Sequence, residues 1–168
     1  MRFGGVPRPR RAITALIGVL AAATASLGTL SASPIRTPAE SDVELLAAPQ
    51  RVVDTRPGFA TVDDLYAGIG RRAAGSTLEV QVAGRAGIPA NATVVVLNVT
   101  AVAPVERGYV TVHPSGTDRP NASNVNYSSG RNTANEVIAR VGVDGSVSVY
   151  TSAAIHLVID IAGHLSTN

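Results

Sequence analysis

The densest apolar patterning lies between Ala92 and Val102, which reads Ala-Thr-Val-Val-Val-Leu-Asn-Val-Thr-Ala-Val. Laid out as extended chain, alternate side chains face opposite ways. One side then carries Val95, Leu97, Val99 and Ala101. The other carries Val94, Val96, Asn98, Thr100 and Val102. A segment this apolar on both faces predicts a central strand, covered on one side by a second sheet.

The same period of two recurs along the chain. Arg51 to Arg56 predicts a short strand stopped by Pro57-Gly58, and Phe59 to Ala74 is irregular. Leu78, Val80 and Val82 alternate with Glu79 and Gln81, and Gly84 to Pro89 turns the chain into the central strand. Tyr109 to His113 alternates again. Ser115 to Asn135 is the most polar stretch, with a short strand expected over Ser123 to Tyr127. Val137, Ala139, Val141 and Val143 keep the period. Asp144-Gly145 then reads as a hairpin turn, with Val147 and Val149 on the return strand. Ala154 to Ala162 forms the last strand. Short strands at this spacing, without sustained helical period, predict an antiparallel β-sandwich of about seven to nine strands, jelly-roll or immunoglobulin-like. Short strands and uneven loops favour the jelly roll.

Upstream the pattern changes. Met1 to Arg11 is basic, Ala12 to Ala23 is apolar, and small residues follow at Ala23-Thr24-Ala25 and Ser31-Ala32-Ser33. This is the layout of a secretory signal peptide over residues 1–33, with cleavage expected at about 25–33. Arg10-Arg11 permits a twin-arginine route. An uncleaved anchor is the competing reading, but Gly, Ser and Thr dilute a segment barely long enough to span. Residues 34–50 read as a linker with a short helical turn at Val43 to Leu46, and 51–168 as the domain. The expected protein is secreted, extracellular or held at the cell envelope, with no membrane span after cleavage.

Composition narrows the chemistry. With no Cys among 168 residues, neither disulfides nor thiolate metal sites are available, so a core must hold the domain together. All 14 basic residues are Arg, which suits a GC-rich genome. Four of them precede the apolar run and all 12 acidic residues follow it, so cleavage leaves ten Arg against twelve carboxylates. A nucleic-acid partner, which needs a clustered basic face, is therefore not expected.

Candidate chemistry is thin. His156, Asp160 and His164 share one face of the last predicted strand, but residues four apart on a strand stand ~13 Å from one another. Metal ligands sit ~2 Å from their ion, so one strand cannot supply all three, and no metal is expected. No Gly-x-Ser-x-Gly elbow is present. A hydrolase would have to assemble from loops, for example His113 or His156 with Asp54 or Asp160 and a Ser. Asp54, Arg56, Asn98, Thr100 and Asp160 stand in or beside apolar strands and read as a structural polar network, since buried polar groups need partners. The same carboxylates with Asp63 or Asp64 are the only calcium option, without a fixed-spacing loop. No other cofactor is expected. In the polar stretch, Arg119, Asn124, Asn126, Tyr127, Arg131 and Asn135 form the binding candidate, suited to sugar hydroxyls. The absence of Trp argues against a flat stacking platform.

Several strand motifs together resemble a secreted β-domain common in actinobacterial extracellular proteins. They are Arg51-Val52-Val53-Asp54-Thr55-Arg56-Pro57-Gly58, Ala83-Gly84-Arg85-Ala86-Gly87-Ile88-Pro89, Val96-Leu97-Asn98-Val99-Thr100, Gly108-Tyr109-Val110-Thr111-Val112, Ser123-Asn124-Val125-Asn126-Tyr127, Ala134-Asn135, and Val158-Ile159-Asp160-Ile161-Ala162-Gly163. The resemblance implies an extracellular module and carries no activity. It departs from the pattern at His164-Leu165, where an aromatic usually follows the last Gly. The expected function is a non-catalytic envelope module that binds glycan or a protein partner, or acts as a spacer. A loop-assembled hydrolase and a calcium-stabilised domain are the alternatives.

Overall fold

In the computed structural model, residues 43–166 are described. The expected signal peptide and residues 34–42 of the expected linker lie outside them. Eight strands are found among the described residues: β1 (Glu44–Asp54), β2 (Ser76–Gln81), β3 (Ala92–Val102), β4 (Gly108–Pro114), β5 (Val125–Tyr127), β6 (Thr133–Arg140), β7 (Ser146–Thr151) and β8 (His156–Ser166). Sheet I has the order β1-β8-β3-β6 and sheet II the order β2-β7-β4-β5, every pair antiparallel. This is the jelly-roll arrangement, not the immunoglobulin one.

The predicted central strand is central. β3 pairs with β8 on one side and β6 on the other, and Val95, Leu97, Val99 and Ala101 have no exposed surface. Their counterparts are Leu157, Ile159 and Ile161 of β8, with Val110 and Val112 of β4 and Val147 and Val149 of β7 from the other sheet. Each is the inward member of an alternating pair, so one period-two rule fills the core from both sheets.

Three expectations fail, each for a physical reason. Residues 44–50 are not linker or helical turn: they are the first half of β1, paired with β8 through Glu44↔His164 and Leu45↔Gly163. A register shift between Leu45 and Gln50 breaks the alternation that would have revealed the strand. The Asp144-Gly145 turn forms, with φ of 55° and 72°, but its arms lead into different sheets, because the ladder of β6 ends at Arg140. Finally, His164 does not share a face with His156 and Asp160. Across from β8, Val96 pairs with Gly163 and Leu97 with Ile161, which leaves Ala162 as a bulge. One extra residue flips every later side chain, so His164 turns inward and is 5% exposed.

The long connection from β1 to β2 closes the open side between the sheets. It bonds to both: Gly68 and Gly70 N–H donate to Asp54 and Thr55 carbonyls, and Gly75 N–H donates to Thr151 O. Arg85 holds this loop in place. Its Nε and Nη2 each donate to Asp63 at 2.6 Å, while Nη1 reaches Gln81 O at 2.8 Å and Nη2 also reaches Val52 O at 3.1 Å. Its Cζ lies 5.1 Å from the Tyr66 ring centre. Arg85 is itself buried, so its charge depends on these acceptors. Arg85→Ala is expected to destabilise the fold by about 3 kcal/mol, because it strands two carbonyls and leaves a cavity. Urea denaturation checks this: a midpoint shift no larger than that of an exposed control, Arg131→Ala, would contradict it.

Candidate functional site

The outer face of sheet II carries the most chemistry. In β4, β5 and β7 the apolar residues Val110, Val112, Val125, Val147 and Val149 face the core, so Tyr109, Asn126 and Tyr150 point outward. The two tyrosine rings lie 6.0 Å apart, tilted by 44°. Arg119, on the loop after β4, stacks 3.9 Å over the Tyr150 ring and donates from Nη1 to Tyr109 Oη at 3.2 Å. That loop is drawn onto the sheet by Thr111 Oγ1 donating to Ala122 O and by Val112 N–H donating to Asn124 Oδ1. Two open clefts result. One, of about 390 Å³, is lined by Arg107, Gly108, Tyr109, Asn126, Tyr127 and Ser128. The other, of about 300 Å³, is lined by Tyr109, Asn121, Ala122, Ser123 and Asn126. Tyr109 and Asn126 form the wall between them.

The six binding residues read from the sequence separate into distinct roles here. Asn126 lines both clefts, whereas Arg119 lines neither and acts on them only through its bond to Tyr109. Tyr127 is buried, its hydroxyl bonded to Thr151 Oγ1 and to Ala153, so its ring belongs to the core although the residue lines a cleft. This hydroxyl packs where a Cβ on Gly108 would stand, 2.7 Å away, which is why glycine begins β4. The Asn124 side chain is engaged by Val112, and Asn135 Nδ2 donates to Asn124 O at 2.8 Å, so both brace the loop. Arg131 is exposed and lines neither cleft. Sequence reasoning missed Tyr109 and Tyr150, although their alternation with inward Val residues already assigned them to the outer face.

Further along this face, Ser115 and Ser148 hydroxyls both donate to the Glu79 carboxylate, Ser148 at 2.7 Å. His113 Nδ1 instead contacts Pro114 O at 3.2 Å and Thr117 Oγ1 at 3.4 Å. The histidine and the serines therefore have separate partners, and no serine–histidine pair forms here.

The polar network lies on sheet I. Asp54 has no exposed surface and accepts from Arg56 Nε at 2.9 Å, Arg56 Nη2 at 2.7 Å and Arg51 Nη1 at 3.2 Å. Arg51 also grips Asp160 through Nε at 2.9 Å and Nη2 at 3.3 Å. Arg51 is thus the bridge that sequence reasoning overlooked. Asn98 stands across the ladder from Asp160 and Thr100 from Val158, on the outer face of β3. Burial pushes the Asp54 pKa up, but the hydrogen bonds from Arg56 and the two nearby guanidinium charges outweigh it, and the net shift is downward. Asp63 is held down by its hydrogen bonds from Arg85. The carboxylates of the calcium reading are therefore split between two arginine networks, Asp54 and Asp160 in one and Asp63 in the other. Among the described residues, no three acidic or histidine side chains gather around a metal position, and no helix is long and apolar enough to cross a membrane. No known protein family and no curated protein matches this chain.

His156 adds a second titrating group beside the network. Thr55 Oγ1 accepts from Leu157 N–H at 3.0 Å and meets His156 Nδ1 at 3.1 Å, a set completed when the ring is neutral and the hydroxyl donates to it. Burial, followed by the charge of Arg71, lowers the His156 pKa. A lowered pKa means that the unfolded chain binds the proton more tightly than the folded one. The His156 contribution is therefore complete above about pH 6.5 and lost as pH falls from there. The contributions of Asp54 and Asp63 are complete above about pH 4 and lost below it. Denaturation midpoints should fall in two steps on acidification, and His156→Asn should abolish only the upper one. An unchanged upper step in that variant would refute the assignment.

Proposed function

We propose that the exported chain is a non-catalytic extracellular module at the cell envelope, and that it binds wall glycan at the two clefts divided by Tyr109 and Asn126. The observation that carries this reading is the pairing of an exposed amide with a clamped aromatic–guanidinium surface. Asn126 offers both donors and an acceptor to hydroxyl groups, and the half-buried Tyr109 ring gives a sugar an apolar wall. The clamp by Arg119 holds Tyr109 in position before a ligand arrives, which reduces the ordering cost of binding. Openness and polarity suit a weak, hydroxyl-rich ligand better than a buried small molecule. The signal-peptide pattern and the resemblance to secreted actinobacterial β-domains support the compartment. The engagement of Ser115, Ser148, Asp54 and Asp160 by structural partners favours binding over the loop-assembled hydrolase.

Retention of the labelled chain on purified cell-wall glycan tests the proposal. Asn126→Ala is expected to weaken retention about tenfold, the equivalent of one or two hydrogen bonds. No retention at low or moderate salt would overturn it, and so would retention that Asn126→Ala and Tyr109→Ala leave unchanged.

A further inference from the structure

The outer edge of β6 differs from the other sheet edges. β5 has three residues. β2 has six, and at its end Gln81 is capped by Tyr66 and Arg85. β1 is bulged, and its second half is covered by the long loop, with Val62 N–H donating to Arg51 O and Arg85 to Val52 O. β6 runs eight residues with no register shift, and β3 is its only strand partner among the described residues. A long, regular, uncovered edge is a template for another strand.

The side chains along this edge specify which strand. Val137 and Ala139 face the core, so Glu136, Ile138 and Arg140 point outward, and Ile138 is 67% exposed. A second β6 laid antiparallel can keep both outer faces on one side only when the pairing shifts by two residues at a time. Centring on Ile138 sets Ile138 against Ile138 and Glu136 against Arg140 twice. Centring on Glu136 or on Arg140 opposes like charges, and centring on Val137 or Ala139 opposes an ion to Ile138. A single register therefore satisfies both the apolar and the charged positions, and it is self-complementary, as a two-fold interface requires. Behind Ile138 the apolar row continues across sheet I through Val96 and Gly163 to Leu45.

We propose that β6 is the surface through which two copies of this chain associate, forming one continuous sheet about a two-fold axis at Ile138.

Sedimentation equilibrium of the full chain tests this, with far-UV circular dichroism confirming that each variant is folded. A monomer–dimer equilibrium is expected. Glu136→Arg should weaken it about tenfold, because two attractive pairs become repulsive. Combining Glu136→Arg with Arg140→Glu should restore it, because the charges still complement each other in the same register. Ile138→Lys should abolish it. A chain that stays monomeric up to millimolar concentration would overturn the proposal. So would a dimer indifferent to Glu136→Arg, or one that the double exchange fails to restore.

Discussion

A carboxylate with no access to water cannot stay ionised without cations held against it, and Asp54 meets that condition with Arg56 on one side and Arg51 on the other. Because Arg51 also binds Asp160, the network staples β1 to β8 across the edge of sheet I. Burying such a set contributes little net stability, since desolvation offsets much of the attraction. Its effect is on geometry: each charge accepts few alternatives, so the strand, its register and the following turn are fixed together. Arg85 repeats the arrangement on Asp63, and through Val52 O and Gln81 O it joins the two sheets and the loop between them.

The two faces of the sandwich consequently do different work. The outer face of sheet I carries the Arg51–Asp54–Asp160 ion pairs on β1 and β8, and an apolar row from Leu45 to Ile138 crosses it. The outer face of sheet II carries hydroxyls, an amide and two rings, with Arg119 closing one loop over them. That division follows from alternation. Most inward positions of β4 and β7 are valines, so most of the chemistry those strands carry is directed outward. Loop residues then decide which outward groups are reachable, as Asn124 does by bracing the chain beside β5.

Much of this was legible in the chain itself. The central strand has the bounds its apolar run implies, and Arg56, read into the same polar network as Asp54, is one of its two arginine partners. Arg85 was visible only as part of a turn motif, because nothing local shows that its guanidinium passes inside toward Asp63, 22 residues earlier. Of the binding candidates, Asn126 lines the clefts and Arg119 touches their Tyr109 wall, whereas Tyr127 and Asn124 are absorbed by packing. Single-strand logic could not separate them, since whether an amide is free depends on the neighbouring strand that bonds it.

The sequence by itself determined the all-β class, the sandwich and the inward rows, because side-chain alternation and turn residues are local properties. Tertiary structure alone decided the inclusion of Glu44–Gln50 in β1, the inward turn of His164 and the separation of the arms around Asp144-Gly145. Each of these depends on a bulge or on the choice between two sheets. Such choices are made by pairing with distant strands, and a single strand carries no record of its neighbours.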